Sequence, residues 1–397
     1  MMSPPIVMDA LRPRVAVWLQ PATSYHSAVL VDRPTQLSQY RDDMRFSICV
    51  MADVDEIDFF GHAERLGYDA VWVTDSQMLF SDCYAVLALA ARQTSRLRLG
   101  PGVAICGTRI PPVHVAAMAT LNRLAPGRVF LGIGTGNTAT RSMGRPAMRI
   151  ADYARYLRVL RGLLRGDVVD YTFDGAARPI KMLIREKKYM SLQPPIPLYV
   201  SGFGPRAMEL AGEYGDGLVF AIPPRGVAPA GALAHARAGA ARAGRKLDDF
   251  HTAALTNIVL LEPGEPADTE RVIRTVGPNV MASVYYFYDT VHERRIDPPP
   301  FLRKIWTRYC ALVESVPPEH RHFRTHEGHY TYLHPGEVEL IDADLVRATC
   351  IVGTAAELIE KIRELERGGL RELMFATGVD EKWRFSQDFA RQVMARY

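Results

Sequence analysis

The chain has 397 residues, 48% of them hydrophobic and 23% charged, with a formal net charge of +4. This is the make-up of an ordinary globular protein: no basic patch interleaved with aromatics speaks for nucleic acid, and no apolar run is long enough to cross a bilayer. Five widely spaced cysteines without C-x-x-C argue against a disulfide framework or zinc ribbon, and the opening MMSPPIVMDALRPR lacks a secretory layout, so a cytoplasmic enzyme with reduced thiols is expected.

From Met44 onward, short β-branched runs alternate with helical patterns. RFSICV (45–50) predicts a strand, followed by a helix near 53–66 that stops at Gly67. DAVWVTD (69–75) and LRLGPGVAI (97–105) predict the next two strands, separated by a helix over 83–94. A helix opened by Pro111-Pro112 leads to a fourth strand, RVFLGIG (128–134), and a long amphipathic helix follows at 151–166. IPLYVSG (196–202), DGLVFAI (216–222), HTAALTNIVLL (251–261) and LRELMFATG (370–378) complete eight strand candidates, the last preceded by a helix over 355–369. Repeated βα units of this kind predict an α/β fold, a (β/α)₈ TIM barrel over residues 44–397, with a doubly wound sheet as the alternative. Two segments fall outside the repeat. Residues 1–43 form an N-terminal extension, either a leader or an extra strand around RVAVWLQ, and residues 278–345, rich in aromatics, His and Pro, read as a late lid insertion.

Two loops carry the chemistry. GTGNTA (134–139) imitates a dinucleotide fingerprint, but the amphipathic helix begins more than ten residues after Gly136 and the motif follows the fourth strand rather than the first. In a barrel the same stretch lies at the C-terminal strand ends, where glycine lets backbone approach a flat ring or a phosphate and Thr135 and Asn137 offer polar groups. A tight βα turn is the plainer reading. YVSGFGPRAMELAG (199–212) runs a strand into Ser201-Gly202-Phe203-Gly204, with Pro205 opening a helix whose free N–H groups, together with Ser201 and Arg206, would seat a phosphate.

These loops, with HAERLGYDAVWVTDS (62–76), RLRLGPGVAI (96–105), PPVHVAAMATLNRLAPGRVFLGIGTGN (111–137) and IVGTAAELIEKIRELERGGLRELMF (351–375), stand in collinear order. The chain resembles the luciferase-like flavin and deazaflavin oxidoreductases, closest to the methylenetetrahydromethanopterin reductase-like branch. The resemblance implies a (β/α)₈ barrel binding FMN or coenzyme F420 at its strand ends. It places Asp75 beside the ring and a Gly102-Val103 bulge, often a non-proline cis peptide, behind it. Thr135, Gly136 and Asn137 would contact the ring and ribityl chain, and Ser201, Gly202, Phe203 and Gly204 the phosphate. It also implies a homo-oligomer. One departure matters: deazaflavin enzymes of this family commonly carry Asp-His where this chain has Asp75-Ser76.

His320, His322, His326, His329 and His334 crowd the insertion without a metal-binding pattern, so no metal is expected; His326 or His329 is a candidate to reach the substrate pocket. Ser76 and Ser201 lack a G-x-S-x-G elbow, which disfavours a hydrolase. The reading favoured on Ser76 and the aromatic lid is a two-component monooxygenase, using O₂ and reduced FMN from a separate flavin reductase to oxygenate a small organic molecule. The alternatives are F420-dependent hydride transfer with a carbonyl, imine or pterin-like substrate, and a non-catalytic flavin-binding barrel.

Overall fold

All eight predicted runs form buried parallel strands in the computed structural model, which describes residues 44–183, 189–222, 226–376, 378 and 381–397. The N-terminal extension expected over 1–43 lies outside the described residues. Strand β1 (Arg45–Val50) pairs with β2 (Ala70–Val73), and β2 with β3 (Arg98–Pro101). The third barrel strand is split: a cis peptide at Gly102–Val103 separates β3 from β4 (Ala104–Ile105). β4 then pairs with β5 (Leu131–Gly134), and a lone parallel bridge from Leu99 to Val129 ties β3 to the same neighbour. An antiparallel hairpin, β6 (Val169–Phe173) and β7 (Ala176–Ile180), is not part of the barrel sheet. The order continues through β8 (Leu198–Ser201), β9 (Gly217–Ala221) and β10 (His251–Leu260). A short β11 (Ile351–Gly353) pairs with the far end of β10, while β12 (Glu372–Ala376) joins β10 to β1 and closes the ring.

The helices follow from the same alternation. α1 (Asp58–Leu66), α2 (Cys83–Gln93), α3 (Pro111–Leu124), the short α4 (Asn137–Arg141) and α5 (Ile150–Arg165) serve the first half. α6 (Pro205–Tyr214) and α7 (Pro229–Arg242) come next, and α7 was not predicted. Its sequence, PAGALAHARAGAAR, has few large apolar residues to show a period; it packs through small ones, and any Cβ on Gly239 would strike the Glu209 carbonyl of α6. The hairpin over 169–180 was also unpredicted, because its side chains are largely exposed and leave no alternating core signal.

The insertion is helical: α8 (Glu270–Arg294), α9 (Arg303–Glu314), α10 (Arg321–His326) and α11 (Ala343–Thr349). It starts earlier than residue 278, because α8 runs through Pro278 without ending. β10 is the longest strand: residues 251–257 pair inside the barrel and 258–260 reach out to β11. Val259, Val276, Val284, Tyr285, Tyr309 and Leu345 gather there into a second hydrophobic core. The lid is therefore a packed unit with its own buried centre. α12 (Ala355–Arg367), opened by a Thr354–Glu357 capping box, and α13 (Lys382–Gln392) finish the ring. No described helix is long and apolar enough to cross a membrane.

Below the strand ends, Trp72, Phe130 and Tyr199 fill the barrel interior, with the Trp72 and Phe130 ring centroids 4.3 Å apart. The interior is packed, so the functional space lies above it, at the C-terminal ends.

Candidate functional site

A cavity of about 650 Å³ opens where the strands end beneath the lid. Cys49, Val219, Leu255, Met374 and Ala376 contribute to its lining from β1, β9, β10 and β12. Burial pushes the Cys49 thiol up to about 12, so this surface carries a neutral thiol. Gly102, Val103 and Ile105 of the split strand line it, beside Gly134, Thr135, Gly136 and Asn137. A Cβ on Gly134 would sit 2.8 Å from Val103 Cγ2. Gly136 has φ +82°, and a Cβ there would collide with Ile105 Cγ2. The glycines of the fourth-strand loop thus let backbone lie directly against the cis-peptide segment, which leaves a flat-walled slot.

Ser201, Gly202, Phe203 and Gly204 form the wall beside α6. The first turn of α6 has no side-chain cap, and a Cβ on Gly204 would meet nothing within 4 Å. This is open space in front of unsatisfied N–H groups, the chemistry an anion takes up. Arg206 does not add its charge freely, because its guanidinium pairs with Glu209 (3.0 Å) and Glu213 (2.5 Å) of its own helix.

Asp75 lines the cavity but is 6% exposed and committed to other groups. Both of its oxygens accept from Arg109 Nη1 at 3.1 Å, and one accepts from the Ile105 amide at 3.3 Å. Arg109 continues to Asp82, the N-cap of α2, and lies over the Tyr84 ring. Asp75 therefore positions β4 and its cis peptide. Ser76 also borders the cavity, and the neighbouring Gln77 donates to the Ala139 carbonyl at 2.6 Å, holding the fourth-strand loop.

The lid closes the other side with Tyr286, Thr290, Glu293 and Arg294 of α8 and with His329 and Tyr330. His329 Nε2 lies 3.2 Å from Thr138 Oγ1, so the lid reaches directly onto the loop that sequence reasoning singled out. Its Nδ1 is buried with no hydrogen-bond partner, and burial, then the neighbouring His326, push the imidazole down to about 3. His326 is buried against Asp289, with Nε2 3.2 Å from Oδ2, and is not among the cavity-lining residues. Arg141 of α4 donates to Asn137 Oδ1 (2.8 Å) and to Glu293 (2.7 Å), tying the loop to α8 a second time.

Of the predicted residues, the structure brings Asp75, Ser76, Gly102, Val103, Thr135, Gly136, Asn137, Ser201, Gly202, Phe203, Gly204 and His329 onto one cavity. Thr138, Arg109, Arg141 and the α8 carboxylates were missed. The Asp289–Glu293 and Asn137–Arg141 spacings, each four residues on a helix, were the available signals. Nothing local marks Arg109 as the partner of Asp75.

The barrel fold is matched in other proteins. The sequence profile of the luciferase-like monooxygenase family covers residues 44–372. The chain belongs to that family. Within it, the chain is similar to the 5,10-methylenetetrahydromethanopterin reductase of Methanopyrus kandleri, 28% identical over 80% of this chain and 87% of that one. A solved structure of a coenzyme F420-dependent tetrahydromethanopterin reductase from the same organism has the same fold, with a TM-score of 0.63 at 21% identity over 89% of this chain and 99% of that one. An F420-dependent hydroxymycolic acid dehydrogenase of Mycobacterium tuberculosis is 34% identical over 46% of this chain and 52% of its own. The oxygenating constituent of 3,6-diketocamphane monooxygenase from Pseudomonas putida, solved with FMN, has a TM-score of 0.54 at 17% identity, covering 88% of this chain and 98% of that one. The family assignment makes this chain an oxidoreductase.

Proposed function

We propose that this luciferase-like oxidoreductase uses coenzyme F420 to move hydride to or from a small carbonyl, imine or pterin-like substrate. The observation that carries the reading is the contact between His329 and Thr138. Ser76 leaves the second strand without an imidazole, and the lid supplies one across the cavity. The deazaflavin, when bound, supplies or accepts the hydride. Gly134, Gly136 and Val103 would border its ring, and the uncapped turn of α6 would take its phosphate. With a pKa of about 3, His329 is neutral at pH 7 and holds one ring proton. If Thr138 Oγ1–H donates to Nε2, that proton is at Nδ1, where a substrate oxygen would be its acceptor. Phe203 and Tyr286, which both line the cavity, meet edge to face at 6.5 Å. The similarity to F420-dependent relatives supports the same choice.

A second reading, a monooxygenase using FMN and O₂, is favoured by Ser76 itself and by the aromatic lid edge. One experiment separates the two. The purified protein is titrated with F420 and with FMN, followed by assays of deazaflavin absorbance with substrate and of O₂ uptake with reduced FMN. F420 binding and substrate-dependent bleaching are expected. FMN binding with O₂ uptake, and no F420 binding, would establish the second reading instead.

A further inference from the structure

Away from the cavity, the lid brings together three side chains that neither the sequence motifs nor the proposed chemistry uses. His292 lies in the last turn of α8, and Cys310 and Glu314 lie four residues apart on α9. One donor atom from each falls within 4.8 Å of the other two. Among the described residues this is the one such group of three; the histidines of 320–334 do not converge.

The ligand set is chemically specific. His292 Nδ1 lies 2.8 Å from the Tyr288 carbonyl, the partner that fixes the proton on Nδ1 and leaves the Nε2 lone pair free. The ring packs against Tyr288, at 4.1 Å between centroids, and against Trp306, at 6.0 Å and 26°. Cys310 is half-buried and the two other ligands are exposed, so a metal would enter without unfolding the lid. One thiolate, one imidazole and one carboxylate suit a borderline divalent ion such as Zn²⁺ or Co²⁺, and discriminate against Mg²⁺ and Ca²⁺, which favour all-oxygen sites. Bonds of about 2.0–2.3 Å put tetrahedral ligands roughly 3.3–3.8 Å apart, so closing the site needs side-chain movements of about 1 Å.

We propose that His292, Cys310 and Glu314 bind a Zn²⁺-class ion, with water in the fourth position, and so clamp α8 to α9. On binding, the Cys310 thiol gives its proton to solvent, and the thiolate and the Glu314 carboxylate balance the two positive charges of the metal. The clamp acts on the lid next to Glu293 and Arg294, both of which line the cavity. Its role is to hold the cavity-facing end of α8 in place.

The test is a titration of the chelator-treated, tag-free full chain with Co²⁺. One equivalent should produce a thiolate-to-cobalt charge-transfer band that Zn²⁺ abolishes by displacement. Cys310→Ser should lose the band. His292→Gln and Glu314→Gln, both at exposed positions that the fold tolerates, should weaken Co²⁺ binding by about 10-fold or more. A double His320→Gln/His322→Gln variant should titrate like wild type. No band in the wild-type chain, or one that survives Cys310→Ser, would overturn the proposal, as would unchanged affinity in both the His292 and Glu314 variants.

Discussion

The two ends of the barrel treat buried polarity in opposite ways. At the end where strands begin, Glu372 is fully buried and saturated. Its carboxylate accepts from Ser47 Oγ (2.6 Å), Trp72 Nε1 (2.6 Å) and His251 Nε2 (2.7 Å), with Arg98 Nη1 at 4.0 Å. Burial works against the charged form, but the His251 hydrogen bond, Arg98 and Ser47 outweigh it and hold Glu372 down at about 2. Arg98 in turn donates to Tyr199 (2.7 Å) and stacks over Phe130. At the end where strands finish, the His329 Nδ1 is buried without a partner, and the exposed first turn of α6 has no side-chain cap. A carboxylate with both oxygens engaged holds structure together, whereas open backbone N–H groups at a cavity wall are the chemistry a ligand takes up.

That contrast can be broken from either side. The largest effect is expected from Glu372→Ala, which leaves Arg98 and His251 buried without their anion and should cost about 3–5 kcal/mol in urea unfolding. If cofactor binding fell while stability held, the division between the two ends would be wrong. His329→Gln should slow turnover by about 10²-fold with F420 affinity little changed, because it removes a proton-carrying group and leaves the slot intact. Gly136→Ala places a side chain at φ +82° against Ile105. It should cost about 1–3 kcal/mol and weaken cofactor binding measured by fluorescence titration.

The pH dependence of stability belongs to the floor. The folded-state pKa of Glu372 is depressed from 4.5 to about 2, so its contribution is complete above about pH 4.5 and is lost as pH falls towards 2. Melting temperature should drop over that window in the wild type and less so in Glu372→Gln. The smallest effect is expected from Arg206→Ala. Its exposed pairs with Glu209 and Glu213 are worth about 1 kcal/mol or less, and cofactor affinity should stay within about threefold of wild type. A large loss of affinity would mean that Arg206 leaves its helix to meet the phosphate.

The barrel was legible because each strand is a short apolar run flanked by turn residues, and those local patterns survive folding unchanged. The glycines of 134–136 and the 201–204 loop were legible for the same reason: their role is in their own backbone. Asp75 was found, but its occupation by Arg109 was not, since that partner sits 34 positions away with no periodic relation to it. The hairpin over 169–180 and α7 escaped because exposed strands and alanine-rich helices carry little hydrophobic period.

Whereas the split at Gly102–Val103 was implied only by the family resemblance, sequence by itself determined the eight strand positions and the loops that gather at one end. These depend on local backbone preferences and on the alternation of apolar residues. Only the tertiary structure decided which lid histidine enters the cavity, that Asp75 supports β4, and that His292 meets Cys310 and Glu314. Those outcomes depend on how α8, α9 and α10 pack around a second core, a matter of shape complementarity between segments far apart in the chain.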